Sequence, residues 1–66
     1  MELLLNGKPY QMDTDATISE LLATNDLSEK PVAVEVNRMI VPRSMHAKHV
    51  LQAGDSIEIV HAIGGG

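Results

Sequence analysis

Residues 31–37 read PVAVEVN, and this alternation of apolar and polar positions decides how the rest of the chain is interpreted. Successive side chains of a β-strand point to opposite faces, so Val32, Val34 and Val36 share one face. The residues between them share the other face. The pattern predicts a strand that is buried on one side and exposed on the other.

Strands are also predicted on both sides of this segment. Near the start, Asn6-Gly7 joins two short runs, and this pair suits the positive φ angles of a type I′ hairpin turn. Pro9 lacks an N–H donor, which places the second strand of this hairpin at a sheet edge. After the turn at Asn37-Arg38, residues 39–41 (MIV) predict a short strand, and residues 56–63 (SIEIVHAI) predict the last one.

One short helix is predicted within residues 13–26, which read DTDATISELLATND. Thr17 and Glu20 have the spacing of a capping box, in which each side chain bonds a free backbone N–H of the first turn. The apolar residues that follow at the spacing of one helix face are Ile18, Leu21 and Leu22. Asn25 and Asp26 are poor helix formers and are expected to end the helix.

Together these elements predict an α+β roll, a mixed sheet of four to five strands with one main helix packed on one face. If the first and last strands are parallel neighbours, the return between them is a right-handed crossover. The domain is expected to span residues 1–63, and residues 64–66 to form a flexible C-terminal glycine tail. The core is expected to centre on Leu3, Leu5, Ile18, Leu21, Leu22, Val32, Val34, Ile57 and Ile59.

The composition of the 66 residues excludes several kinds of protein. There is no cysteine, which rules out disulfides, iron–sulfur ligation and a cysteine nucleophile. The net charge is −4 and the only aromatic residue is Tyr10, whereas nucleic-acid binding needs a basic face and often stacking aromatics. No apolar run approaches the roughly 20 residues of a membrane span, and the N-terminus lacks the basic start of a signal peptide. We therefore expect a cytoplasmic protein, monomeric when free, whose acidic surface suits a partner with a basic docking face.

The histidines and carboxylates do not indicate a metal site or a catalytic centre. His46 and His49 are three residues apart, but zinc takes three or four ligands and His61 lies on another element. All three are expected to be solvated surface histidines, with no metal bound. No carboxylate pair is placed for acid–base catalysis, and no serine lies in a nucleophile motif. The sequence predicts a protein that is not an enzyme.

Met39, Ile40, Val41 and Met45 form an apolar cluster around the short fourth strand. Core packing is the favoured interpretation of this cluster. The alternative is an exposed docking surface at Met39, Ile40 and Val41, because methionine is common on adaptable binding surfaces.

Residues 64–66 are three glycines that directly follow the last predicted strand. They are interpreted either as a cloning remnant or frayed end, or as a tail that a partner encloses, since glycine lets another backbone approach closely. On the second interpretation the reactive group is the α-carboxylate of Gly66. Adenylation would give this carboxylate a good leaving group, and a sulfur nucleophile could then displace AMP and leave a thiocarboxylate.

The segments PVAVEVNRMIVPRS (31–44) and LQAGDSIEIVHAIGGG (51–66) resemble the bacterial sulfur carrier proteins of thiamine biosynthesis, the ThiS family. The opening LLLNGK and the helix TISELL fit as well, so the resemblance spans essentially the whole chain. Family members often carry a tryptophan shortly after VPR, where this sequence has SMHAKH. This difference affects docking details at Met45 and His46, not the chemistry of the tail.

The resemblance implies a β-grasp, or ubiquitin-like, fold and a role as sulfur carrier. It implies that an adenylyltransferase of the ubiquitin-activating type (ThiF-like) uses ATP-Mg to activate Gly66, and that a thiazole synthase (ThiG-like) accepts the sulfur. The carrier would bind no cofactor and would be modified only transiently, as an adenylate and a thiocarboxylate. Gly65 and Gly66 match the family's functional pair, while Gly64 and Ile63 are expected to enter the partner's channel.

Three other functions remain open from the sequence. The first is the sulfur carrier that forms the small subunit of molybdopterin synthase, which has the same tail and a different acceptor. The second is a ubiquitin-like modifier that forms isopeptide bonds. The third is a β-grasp binding module in which the tail has no role.

Overall fold

The computed structural model describes residues 1–61, which form a five-stranded sheet and one α-helix. In chain order the elements are β1 (Glu2–Leu5), β2 (Lys8–Gln11), α1 (Ile18–Thr24), β3 (Val32–Val36), β4 (Met39–Val41), a 3₁₀ turn (Arg43–Met45) and β5 (Ser56–His61). The strand order across the sheet is β2-β1-β5-β3-β4, with β1 and β5 parallel and the other neighbours antiparallel. The predicted α+β fold is confirmed, and the parallel pairing of the first and last strands, which the sequence left as a condition, is present.

Helix α1 begins where the sequence predicts. The Thr17 backbone N–H donates to Glu20 Oε1 at 3.2 Å, and the Glu20 N–H donates to Thr17 Oγ1 at 3.2 Å, so the capping box is complete. At the other end, the Asn25 side-chain amide donates to the Leu21 carbonyl (2.9 Å) and to the Tyr10 hydroxyl (3.1 Å), which ties the helix end to β2. Within residues 1–61, no helix is long and apolar enough to cross a membrane.

Both hairpins turn through left-handed backbone conformations. The φ angles are 50° at Asn6 and 82° at Gly7, as the predicted type I′ turn requires. The β3–β4 turn uses the same region at Asn37 (51°) and Arg38 (71°), where an L side chain is normally disfavoured. Pro9 lies on β2, which is an edge strand, as predicted.

The core lies between α1 and one face of the sheet. Its buried apolar members are Leu3, Ala16, Ile18, Leu21, Leu22, Val34, Val36, Leu51, Ile57 and Ile59. Leu5 and Val32, also predicted there, are half-buried and pack against this core. The prediction missed Leu51, which the loop before β5 brings back onto the helix start through a hydrogen bond from its N–H to the Ala16 carbonyl (2.8 Å).

Candidate functional site

The central strand β5 is the last described element before the predicted tail. It spans Ser56–His61, and the described residues end with it. The predicted site residues Ile63, Gly64, Gly65 and Gly66, and with them the predicted boundary between domain and tail, lie outside the described residues. The structure therefore describes how the chain is held immediately before the tail.

Strand β5 is paired along both of its edges. Five residue pairs join it to β3, from Val36↔Ile57 to Val32↔His61. On the other edge it runs parallel to β1 through Leu5↔Ile57 and one neighbouring pair. The side chains of Ile57 and Ile59 point into the core and are 0% and 8% exposed. This pairing and burial hold the strand in place up to the last described residue.

Two asparagine side chains extend this support beyond the ladders. Asn6, in the β1–β2 turn, accepts a hydrogen bond from the Ile59 N–H at 2.9 Å, where the partner strand β1 has already ended. Asn37, in the β3–β4 turn, accepts from the Ser56 N–H at 2.9 Å and donates to Asp55 Oδ1 at 3.0 Å. The sequence placed both residues in turns but missed their contacts with β5. The sequence shows only that asparagine tolerates a positive φ angle. It does not show that the Asn6 side chain binds Ile59, which is 53 residues away.

The candidate docking residues Met39, Ile40 and Val41 form the edge strand β4 and are divided between the two faces of the sheet. Met39 and Val41 pair with the inward residues Val36 and Val34, whereas Ile40 pairs with the outward residue Glu35. Met39 is 72% exposed and Ile40 is 71% exposed, and only Val41 packs against the core. The favoured interpretation of this cluster as core was wrong for Met39 and Ile40. Their role in docking stays a prediction.

On the helix side, Met39 lines a shallow groove beside β4. The other apolar side chains along this groove include Val36, Pro42, Met45 and Val50. Met45 and Val50 are 44% and 40% exposed, so this groove is an open apolar surface. The cluster expected around Met45 therefore exists, but it lies at the surface.

The expectation of a solvated surface position was wrong for His46. Its side chain is 5% exposed, and Nε2 lies 2.9 Å from the Val41 carbonyl oxygen, which joins the turn after β4 to the end of that strand. The 3₁₀ turn Arg43–Met45 places His46 beneath the loop that precedes β5. The spacing of the histidines in the sequence did not indicate this burial. His49 is half-buried and His61 is exposed. Among residues 1–61, no three or more His, Cys, Asp and Glu side chains form a group that could hold a metal ion.

Comparison with known proteins gives consistent matches over nearly the whole chain. A family model described as "ThiS family" matches residues 3–66. The Sulfur carrier protein ThiS of Bacillus subtilis is 43% identical over 65 residues, which cover 97% of this chain and 98% of that protein. A crystal structure of the thiamine biosynthesis protein ThiS from Geobacter metallireducens has a TM-score of 0.85 and 30% identity, with both chains fully covered.

Another relative is much longer than this chain. A Thiazole synthase of Magnetococcus marinus is 41% identical over 66 residues, which are the whole of this chain but 20% of that protein. This chain therefore spans about a fifth of the length of that relative. The structure from Geobacter metallireducens shares the fold, and the family model and the full-length relative from Bacillus subtilis show that this chain belongs to the ThiS family.

Proposed function

We propose that this protein is a sulfur carrier of thiamine biosynthesis, in which Gly66 is the terminal residue and its α-carboxylate carries the sulfur. Membership of the ThiS family supports the role of sulfur carrier. The structural observation that supports it most is that the described residues end on the doubly paired central strand β5, five residues before Gly66 in the sequence. A rigid body attached to a short glycine segment suits a group that must be delivered into another protein's active site.

The proposed chemistry has two steps. A carboxylate oxygen of Gly66 attacks the α-phosphorus of ATP, and pyrophosphate leaves. A hydrosulfide nucleophile then adds to the acyl carbon and AMP leaves, so that the carboxylate becomes a thiocarboxylate. An adenylyltransferase of the ubiquitin-activating type would bind the ATP-Mg, and the carrier itself would bind no cofactor. The carrier acts as a cosubstrate rather than a catalyst.

A thiazole synthase is the proposed acceptor of this sulfur. Proteins named Thiazole synthase from Magnetococcus marinus and Paramagnetospirillum magneticum are 41% and 39% identical to this chain over 66 residues, which make up a fifth of each. A domain of this kind within the synthase suits a reaction in which carrier and synthase must meet. This supports thiazole formation over the molybdopterin alternative.

The glycines of the tail would allow a partner to enclose the backbone. Glycine has no Cβ, so the walls of a channel can approach Gly64 and Gly65 closely, and Ile63 would enter at the channel mouth. Ordering these residues costs about 1–2 kcal/mol for each residue fixed. Contacts made by the folded body must offset this cost, which gives the docking surface its importance.

The test is the intact mass of the protein after incubation with ATP-Mg, a ThiF-type adenylyltransferase and a sulfur donor. We expect the mass to rise by the replacement of one oxygen by sulfur. Two variants should show no gain, one lacking Gly65 and Gly66 and one with an alanine added after Gly66, because each moves the carboxylate away from its required position. Both should melt at the parent's temperature, since the described core ends at Ile59.

A different result would exclude the proposal. If the alanine-extended variant gains sulfur as fast as the parent, the tail is not being recognised as the acyl group. If lysine conjugates form in place of the thiocarboxylate, the protein is a ubiquitin-like modifier.

A further inference from the structure

Asn6 is the one asparagine of this chain that is followed by glycine. The other two, Asn25 and Asn37, precede an aspartate and an arginine. Asparagine is among the thermally labile residues, because the backbone nitrogen of the next residue can attack its side-chain amide. Glycine favours this attack, since it has no side chain to block the approach and its backbone turns freely. The pair Asn6-Gly7 is therefore the position at which the sequence allows this reaction most readily.

The reaction replaces the side-chain amide by a carboxyl group and consumes one water. The Gly7 nitrogen bonds to the side-chain carbonyl carbon (Cγ) of Asn6 and loses its proton, the Cγ–Nδ2 bond breaks, and ammonia leaves with that proton. The product is a succinimide ring. Water then opens the ring at either carbonyl and gives aspartate or isoaspartate, in which the main chain runs through the former side chain. Water is the only other reactant.

The β1–β2 turn leaves both reacting groups accessible. Asn6 and Gly7 are exposed, and a Cβ placed on Gly7 would meet nothing within 4 Å. Within residues 1–61, the Gly7 N–H donates to no backbone carbonyl. Water can therefore reach the Asn6 amide, and the nitrogen that attacks it is not held in a backbone hydrogen bond.

Two contacts with β5 restrain Asn6. Its Oδ1 accepts a hydrogen bond from the Ile59 N–H at 2.9 Å, and its own N–H donates to the Ile57 carbonyl at 2.8 Å. The first contact holds the amide against β5, whereas ring closure needs the amide to turn towards the Gly7 nitrogen. The turn must therefore open before the reaction. Because β2 is an edge strand, this opening is local and does not require the whole sheet to unfold.

We infer that Asn6 is a site of spontaneous deamidation, whose rate is set by opening of the β1–β2 turn and whose isoaspartyl product weakens the attachment of β5 to β1. Isoaspartate adds one carbon to the main chain of a two-residue turn that fixes the register of its strands. The altered backbone no longer meets Ile59 and Ile57 in the native geometry. Aspartate, the other product, keeps the backbone and an acceptor oxygen. The inference does not depend on the chemistry of Gly66.

Asn37 is a control within the same molecule. It also has a left-handed backbone, with φ of 51° against 50° at Asn6. It also accepts a hydrogen bond from β5, in this case from the Ser56 N–H at 2.9 Å. The residue after it is Arg38, whose side chain hinders the attack. Comparing the two asparagines therefore separates the effect of the glycine from the effect of the turn.

The experiment incubates the folded protein in mildly alkaline buffer, well below its melting temperature. Peptide mass spectrometry follows each asparagine, and electron-transfer fragmentation distinguishes isoaspartate from aspartate. We expect Asn6 to react at least about tenfold faster than Asn37. A synthetic peptide of residues 1–12, which has no β5 to bind, should react at least about tenfold faster than the folded protein. The isolated isoaspartyl form should melt below the parent, whereas Asn6→Asp should melt at the parent's temperature.

The variant Arg38→Gly places a second reactive pair in the β3–β4 turn. Arg38 has a φ of 71°, which glycine adopts without strain, so the variant should fold. It should gain modification at Asn37 while Asn6 reacts at the parent's rate. The matched control Arg38→Lys keeps a long side chain, and Asn37 should react as slowly in it as in the parent.

Each result decides one part of the inference. Deamidation at Asn6 is wrong if Asn6 of the folded protein reacts no faster than Asn37. Equal rates for the peptide and the folded protein would overturn the role of turn opening. An isoaspartyl form that melts at the parent's temperature would overturn the weakening of β5.

Discussion

Asn6 and Asn37 each have two roles in the fold. Each holds a left-handed backbone, at φ of 50° and 51°, and each offers a side-chain oxygen to β5. Asparagine tolerates positive φ better than most residues, and its amide can act as both acceptor and donor. The two hairpin turns therefore also bind the central strand β5, one along its β1 edge and the other along its β3 edge.

Replacing Asn6 can separate these two roles. Asn6→Gly keeps the turn but leaves the Ile59 N–H without its acceptor, and should lower the free energy of unfolding by about 1–2 kcal/mol. Asn6→Asp keeps an acceptor oxygen and should stay within about 0.5 kcal/mol of the parent. Urea unfolding measures both. Equal stability of the glycine variant and the parent would show that the bond to Ile59 contributes nothing.

At the scale of elements, β5 supplies both the centre of the sheet and the core on its inner face. Ile57 is 0% exposed and lies between β1 and β3, whereas Val60 on the same strand points outward and is 51% exposed. Burial alternates along the strand with a period of two residues. The cost of removing a side chain should alternate in the same way.

We expect Ile57→Ala to lower the free energy of unfolding by roughly 2–5 kcal/mol, because it leaves a cavity in a close-packed core. In a domain this small, that is a large share of a total stability of about 5–15 kcal/mol. The control Val60→Ala should cost less than about 1 kcal/mol, since its methyl groups contact solvent. Thermal unfolding checks both. A similar loss for the two variants would contradict the assigned direction of these side chains.

The elements that the sequence predicted are those whose signals are local. The capping box of Thr17 and Glu20, the alternation of β3 and the turn at Asn6-Gly7 each depend on residues within a few positions of one another. The loop from His46 to Leu51 has no regular alternation of apolar and polar residues, so the sequence did not predict that His46 and Leu51 are buried. Their burial results from a loop that folds back onto α1, which local propensity does not determine.

At the scale of the whole molecule, the sheet has a firmly held middle and two weaker sides. Strands β5 and β3 are each paired on both edges, whereas β2 and β4 are edge strands of four and three residues. Edge strands expose one row of backbone groups to water and open locally before the centre does. Stability should therefore decrease from β5 outward.

Native-state hydrogen exchange, read residue by residue by NMR, tests this gradient. We expect the slowest amides in β5 and β3, with exchange limited by global unfolding, and faster exchange in β2 and β4. The Ile59 amide should be among the slow ones because Asn6 covers it. Protection of β4 as strong as that of β5 would mean that its outer edge is covered, for example by a second copy of the chain.

The candidate site was predictable in part. The glycine run after an alternating strand, together with the ThiS-like segments, indicates Gly66 from residues adjacent in sequence, and this site stays a prediction because Gly66 lies outside the described residues. The two faces of β4 were not predictable, because the exposure of Met39 and Ile40 depends on which strand occupies the sheet edge. The opposition of Glu35 and Glu58 was missed for a similar reason: alternation places both outward, but only the register places them face to face.

The last strand along the described chain is the one in the middle of the sheet, and this affects how the protein is made. While the ribosome is still adding residues up to 55, the hairpins β1–β2 and β3–β4 have no strand between them. Each has an unpaired edge, and such edges are prone to aggregation and to capture by chaperones. A chain cut short before Ser56 therefore cannot close its sheet and is exposed to proteolysis. Only a chain that has been translated through β5 can therefore fold and bind a partner.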